Sequence, residues 1–200
     1  MFIERCVTTL AEAEQAAAEG AERLELCSAL DLDGLTADRE VFLDIKKSVG
    51  IPVRVMLRNR HPHFEVNVAE LEELKHEADW FKQHGADGFV FGFMANGKID
   101  AVSTAELLDF CAPLPCTFHK AFDNCESLTD SLELLIDLGV DDVLTSGGER
   151  TAAEGIKTLS EIVLLASTRI GVIVAGKVRH NNIATLHEKV KAAYYHFRVE

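Results

Sequence analysis

Residues 117–123 read Thr-Phe-His-Lys-Ala-Phe-Asp, a short apolar run that follows a proline-containing segment and ends in polar residues. Such a run predicts a buried strand that ends at a loop. Alternate side chains of a strand face opposite sides, so His119 and Asp123 are expected on one face and Lys120 on the other. A histidine and an aspartate at the carboxyl end of a strand are typical of an α/β active site. A core histidine satisfied by a hydrogen bond is the alternative.

A second pattern surrounds this stretch and recurs along the chain. Three times a helical segment ends in glycine, one or two small or acidic residues follow, and an apolar strand begins, at residues 19–22, 84–87 and 138–141. Glycine just past a helix adopts the left-handed cap conformation at little cost. A link of two or three residues into a strand is the α-to-β connection of alternating α/β folds.

Apolar runs bounded by such turns predict eight strands separated by seven helices. The strands are Phe2–Cys6, Arg23–Cys27, Val53–Arg58, Gly88–Gly92, Thr117–Phe122, Asp142–Ser146, Gly171–Ala175 and Ala193–Phe197. The helices are Leu10–Glu19, Asp38–Ser48, Val68–Gln83, Thr104–Cys111, Ser127–Leu138, Ala152–Ala166 and Asn182–Lys191. Strict alternation indicates a parallel sheet with right-handed crossovers.

Eight strand–helix repeats favour a closed (β/α)8 TIM-like barrel over an open doubly wound sheet, because no phosphate-binding glycine fingerprint follows the first strand. We expect one domain over residues 1–200, a minimal barrel that lacks a full eighth helix. The missing helix would leave part of the outer wall uncovered, and a second copy of the chain could cover it. The sequence therefore predicts a homodimer.

Composition excludes several classes of partner. The chain has 200 residues, 48% of them hydrophobic, and a formal net charge of −13. This charge argues against sequence-independent binding to nucleic acid and against docking on anionic membranes. No apolar run reaches the roughly 20 residues of a membrane span, and the amino terminus has no signal-peptide pattern. The five cysteines are an odd number in a chain with ample core, which indicates reduced thiols and a cytoplasmic location.

Strand parity predicts that the barrel interior is polar. Outward-facing leucines, valines and isoleucines leave the inward positions to a set of charged, imidazole and sulfur-containing side chains: Glu4, Cys6, Arg23, Glu25, Cys27, Arg54, Met56, Arg58, Thr117, His119, and either His196 or Tyr195. Buried charges are costly unless they are paired and hydrogen-bonded. These residues either form a self-satisfied ion-pair network or bind something polar.

Cys6 and Cys27 end adjacent strands, which run about 4.8 Å apart. Two thiols at that spacing could bind one ion, and thiolates suit Cu(I), a soft metal ion. The alternative is that both cysteines are ordinary core residues.

A small anionic metabolite, for example a phosphorylated one, is the other candidate ligand. Arg58 and Arg60 could clamp an anion through their planar guanidinium groups. The backbone N–H groups of Ser146 and Gly147, in the turn after strand six, could cradle it. His119 would then move protons, with Glu25 or Asp123 as its partner. Under this alternative the protein is a TIM-barrel enzyme.

Several stretches, in order along nearly the whole chain, carry a resemblance to a known family. They are residues 23–28, 33–36, 51–60, 97–100, 117–123 and 143–148, together with His196. Together they resemble the CutC copper-homeostasis family. The resemblance implies a TIM-like barrel, a cytoplasmic protein associated with copper tolerance and copper binding, and often a dimer. It also implies that copper binding falls on Cys6 and Cys27.

Overall fold

Eight parallel strands close into a barrel in the computed structural model, which describes residues 1–59 and 63–199. The strands are β1 (Phe2–Val7), β2 (Arg23–Leu26), β3 (Val53–Met56), β4 (Gly88–Phe91), β5 (Cys116–Phe118), β6 (Asp142–Thr145), β7 (Gly171–Val174) and β8 (Tyr194–Arg198). The hydrogen-bonded order is β1-β8-β7-β6-β5-β4-β3-β2, and pairing between β1 and β8 closes the ring. The predicted (β/α)8 TIM-like barrel is confirmed.

Seven α-helices of the described residues alternate with the strands, as predicted. They are α1 (Leu10–Ala18), α2 (Arg39–Ser48), α3 (Val68–Gln83), α4 (Ala101–Cys111), α5 (Leu128–Leu138), α6 (Ile156–Ala166) and α7 (Ile183–Val190). Polar side chains cap several helix amino termini; Asn67, for example, forms a reciprocal capping box with Glu70 at α3. A two-stranded hairpin, Met94–Ala95 with Lys98–Ile99, lies between β4 and α4. None of the described helices is long and apolar enough to cross a membrane.

The outer wall beside β8 is covered, although no described helix follows that strand. Its outward side chains Tyr195 and Phe197 are only 0% and 3% exposed. The Arg5 guanidinium lies 4.3 Å from the centre of the Phe197 ring, and the His180 ring packs edge-on against it. The expectation of an uncovered wall is therefore wrong at this strand, because side chains from β1 and from the loop before α7 occupy the space. An uncovered outer wall therefore no longer supports the homodimer, which stays a prediction.

The fifth strand is shorter than predicted. It ends at Phe118, and residues Lys120–Asn124 form a 3-10 helix capped by His119, whose Nδ1 accepts the N–H of Ala121. Strand parity therefore stops before His119, and the predicted opposite placement of Lys120 and Asp123 is wrong. The 3-10 turn instead brings the Lys120 ammonium within 2.8 Å of the Asp123 carboxylate.

Candidate functional site

A cavity of about 750 Å³ opens at the carboxyl ends of the strands, where TIM-barrel sites lie. Seven side chains that the sequence placed in or near the site line it: Cys6, Glu25, Cys27, Met56, His119, Asp123 and His196. Arg58, Ser146 and Gly147 are not among its described lining residues. Arg60 lies outside the described residues.

Cys6 and Cys27 form a thiol pair at this cavity. Cys6 lies on β1 and Cys27 directly follows β2, so the parallel pairing of these strands brings the two side chains together. Their Sγ atoms are 3.6 Å apart, both residues are buried, and both are free cysteines. The hydrogen bond to Cys27, burial and the nearby Glu25 charge all raise the pKa of Cys6. The side chain of Met56 packs in the same buried cluster, so three sulfur atoms lie in one region.

His196 lies beside the thiol pair, between two carboxylates. Its Nδ1 is 2.7 Å from Glu4 Oε1, and its Nε2 is 4.0 Å from Glu25 Oε1. Burial alone would lower the pKa of His196, but the charges of Glu25 and Glu4 raise it. Burial raises the pKa of Glu25, whose Oε2 is buried and has no hydrogen-bond partner.

Deeper in the barrel, two guanidinium and two carboxylate groups form an ion network. Arg23 Nε donates to Glu4 Oε2 at 2.5 Å, and Arg54 Nη1 donates to Asp142 Oδ2 at 2.5 Å. Arg23 Nη1 is 3.6 Å from the same Asp142 oxygen, which joins the two pairs. Burial would raise the pKa of Glu4, but its hydrogen bond to His196 and the charges of Arg23 and Arg54 lower it to about 2. This network supports the floor of the cavity.

His119 is held as a neutral imidazole. Burial, with a smaller effect of the Arg58 charge, lowers its pKa to about 3. Because Nδ1 accepts the Ala121 N–H at 3.2 Å, the ring proton is carried on Nε2. That Nε2 is buried and has no hydrogen-bond partner in the described structure. The ring packs edge-on against Phe64 at 5.1 Å between centroids.

Arg58 does not extend into the cavity but is bound to the loop after β2. Its Nη1 donates to the carbonyl oxygens of Leu32, Asp33 and Gly34 at 3.2, 3.3 and 3.1 Å. Its Nε and Nη2 are buried without hydrogen-bond partners in the described residues, and its Cζ lies 4.5 Å from the centre of the Phe64 ring. Arg58 and His119 therefore have different hydrogen-bond partners, but both side chains pack against the ring of Phe64.

The carboxylate of Asp123 occupies the turn after β6. It accepts the backbone N–H groups of Ser146 and Gly148 at 3.0 and 2.9 Å, the Thr145 hydroxyl at 2.5 Å, and the Lys120 ammonium. Burial would raise the pKa of Asp123, but Lys120 and these hydrogen bonds lower it. The N–H of Gly147 donates to Thr145 Oγ1. The amides that could have cradled an anion are thus already paired within the chain.

The sequence left the placement of His196 open and gave no indication that Asp142 and Lys120 belong to the site. His196 and Tyr195 were equal candidates for the interior, since both neighbours are bulky and amphipathic. The signal that could have decided between them is the alternation of aromatic and basic residues in Tyr195, His196, Phe197 and Arg198. Aromatic rings face the helices, which leaves the imidazole inside.

Comparisons with known proteins agree with this fold. The model of the CutC family matches residues 1–199. The human copper homeostasis protein cutC homolog is 38% identical over 196 residues, which cover 98% of this chain and 72% of that protein. A CutC family protein from Histophilus somni is 37% identical over 187 residues, 93% of this chain and 77% of that one. The crystal structure of the CutC protein from Streptococcus agalactiae superposes with a TM-score of 0.93 at 26% identity and covers 98% of both chains.

Proposed function

The chain belongs to the CutC family, whose named relatives include copper homeostasis proteins, and we propose that it binds Cu(I) through the thiolates of Cys6 and Cys27. The observation that carries this proposal is the 3.6 Å separation of the two Sγ atoms at the edge of an open cavity. Soft sulfur donors are the ligands that Cu(I) prefers. In this proposal Cu(I) is the ligand that the protein carries and not a resident cofactor.

The sulfur spacing also bears on coordination. With metal–sulfur bonds of about 2.3 Å, as for zinc, a linear two-thiolate site would need sulfur atoms about 4.6 Å apart. The shorter separation of 3.6 Å suits a bent pair that is completed by a third donor. Met56 is the candidate, because its thioether packs in the same cluster and thioethers also suit Cu(I).

The test is competition for Cu(I) between the reduced protein and a chromophoric chelator under anaerobic conditions. We expect about one tightly bound Cu(I) per chain, and a loss of affinity of more than about tenfold in the Cys6→Ser, Cys27→Ser double variant. The matched control is Cys111→Ser, Cys116→Ser, a second buried cysteine pair that does not line the cavity. Unchanged binding in the first double variant would defeat the proposal.

The proposed location is the cytoplasm, and the proposed assembly is a homodimer. All five cysteines are free thiols, which suits a reducing compartment. Sedimentation at micromolar concentration tests the dimer, and a monomeric profile would count against it.

A second candidate function, an enzyme that acts on a small anionic metabolite, is supported by unpartnered N–H groups. Arg58 Nε, Arg58 Nη2 and His119 Nε2 are buried without described partners, and both side chains contact Phe64. Such donors favour an acceptor such as a carboxylate or a phosphate. In this proposal the free Nε and Nη2 groups of Arg58, together with Arg60, hold the anion beside Phe64, and Glu25 or Asp123 completes the site. His119 then donates a hydrogen bond from Nε2.

A thermal-shift screen of small carboxylates and phosphates tests this second function. We expect at least one compound to stabilise the protein and to lose that effect in His119→Asn. A screen without any stabilising compound would count against it.

A further inference from the structure

We propose that Cys6, Glu25 and His196 form a second donor set, which binds a divalent cation of the Zn²⁺ type and shares Cys6 with the proposed Cu(I) site. One ligand atom from each of the three residues lies within 4.8 Å of the others, and the described residues contain no other such group of histidine, cysteine and carboxylate side chains. The proposal does not depend on copper binding.

The pairing of the strands produces this group. Cys6 lies beside Glu25 in the register of β1 with β2, and Glu4 lies beside His196 in the register of β1 with β8. The three donors therefore come from three adjacent strands of a closed barrel. Rigid strands hold donor atoms more accurately than loops do.

Glu4 orients the imidazole for binding. Because Glu4 Oε1 pairs with Nδ1 of His196 at 2.7 Å, Nε2 is the nitrogen left to face Cys6 and Glu25. Arg23 in turn holds the other oxygen of Glu4 at 2.5 Å. A carboxylate behind a histidine is the arrangement that fixes the ring of metal-binding histidines in proteins.

An unpartnered carboxylate oxygen points to a missing ligand. Glu25 is 3% exposed, and its Oε2 has no hydrogen-bond partner in the described structure. A buried carboxylate oxygen without a partner is costly, and a cation would remove that cost. Donors in a tetrahedral site with bonds of about 2.0–2.3 Å lie roughly 3.3–3.8 Å apart. The 4.0 Å between His196 Nε2 and Glu25 Oε1 needs only a small side-chain rotation to reach that range.

The chemistry of the donors selects the type of ion. One sulfur, one nitrogen and one oxygen donor form a mixed set that suits Zn²⁺, whereas soft Cu(I) prefers sulfur. Three protein ligands beside an open cavity leave a fourth position for water or substrate, as in catalytic zinc sites. Because Cys6 belongs to both sets, Zn²⁺ and Cu(I) compete for the protein.

The experiment measures Zn²⁺ and Cu(I) affinity separately on reduced, metal-free protein, by competition with chromophoric chelators. We expect His196→Gln and Glu25→Gln to weaken the Zn²⁺ affinity by at least the roughly 10- to 100-fold that loss of a supporting partner costs. The same variants should leave the Cu(I) affinity within about threefold of the wild-type value. Cys27→Ser should weaken Cu(I) binding and leave the Zn²⁺ affinity within about threefold. Cys6→Ser should weaken the binding of both ions. His76→Gln, a variant of an exposed histidine, controls for surface binding.

Cobalt gives a readout on the unmodified site. Co²⁺ in place of Zn²⁺ should give tetrahedral visible bands and the thiolate charge-transfer band of one sulfur, unchanged in Cys27→Ser and absent in Cys6→Ser. Wild-type Zn²⁺ affinity in His196→Gln, or equal loss in Cys27→Ser and Cys6→Ser, would overturn the proposal. Loss of Cu(I) alone in Cys27→Ser supports copper binding by the thiol pair independently, so the two proposals can fail separately.

Discussion

At the scale of single residues, His119 is the group whose protonation most clearly opposes folding. Its native pKa is about 3, against an ordinary value of 6.5, because of burial and the Arg58 charge. Between those two values the unfolded chain binds the proton and the native protein does not. Stability therefore falls as the pH drops from 6.5 toward 3, by up to about 1.4 kcal/mol per pH unit.

The variant His119→Asn tests this, since its amide oxygen can still accept the Ala121 N–H but cannot titrate. Urea unfolding at pH 6.5 and pH 5 should show the stability difference between wild type and variant shrinking by up to about 2 kcal/mol. A difference that stays constant with pH would contradict the neutral histidine. The ring nitrogen chemical shifts of His119 give an independent control.

Gly92 is a second residue with a sharp steric role. A methyl group on its Cα would lie 2.6 Å from His119 Nδ1 and 3.0 Å from Phe118 Cε1. Gly92→Ala should therefore displace the imidazole and cost about 1–3 kcal/mol in the free energy of unfolding. Gly50→Ala is the matched control, because nothing lies within 4 Å of that position. Equal stability of the two variants, measured by urea unfolding, would rule out the contact.

At the scale of elements, Asp123 joins the 3-10 helix after β5 to the turn after β6. Its carboxylate accepts two backbone N–H groups and the Thr145 hydroxyl and pairs with Lys120. Hydrogen bonds to a charged group contribute about 1.5–3 kcal/mol each. Asp123→Asn should therefore lower the free energy of unfolding by about 2–4 kcal/mol and loosen the turn.

Hydrogen exchange provides the local readout for this variant. The amides of Ser146 and Gly148 should exchange faster in Asp123→Asn, because their acceptor loses its charge. The exposed Asp109→Asn serves as control. Unchanged protection of both amides would show that the carboxylate does not hold the turn.

The same elements explain how far the sequence could predict this site. Alternation along β1, β2 and β3 is local, so the inward directions of Glu4, Cys6 and Glu25 follow from the pattern alone. Beyond a strand end, direction depends on the loop. Arg58 donates hydrogen bonds to three carbonyl oxygens of the loop after β2, and a 3-10 turn changes the direction of the Lys120 side chain. No periodicity encodes those contacts.

At the scale of the whole molecule, barrel closure decides which charges meet. Glu4 and His196 are 192 residues apart in sequence and adjacent across the seam between β1 and β8. Arg54 and Asp142 belong to β3 and β6, which do not pair, and they meet only through the interior. The cavity at the carboxyl ends of the strands therefore depends on all eight strands. Below it, an interior ion network replaces the aliphatic side-chain layers that usually fill such a barrel.

Asp142 is the carboxylate that two buried guanidinium groups of this network share. Asp142→Asn leaves the buried guanidinium groups of Arg54 and Arg23 without their shared carboxylate, and breaking a buried pair by removing one partner costs about 3–5 kcal/mol. Glu133→Gln is the matched control, since it breaks the Arg169–Glu133 pair, whose side chains are 44% and 43% exposed. That surface pair should contribute less than about 1 kcal/mol and weaken with added salt. Chemical denaturation in low and high salt separates the two cases. A cost below about 1 kcal/mol for Asp142→Asn would mean that the barrel interior tolerates unpaired cations and that the ion network does not stabilise the cavity.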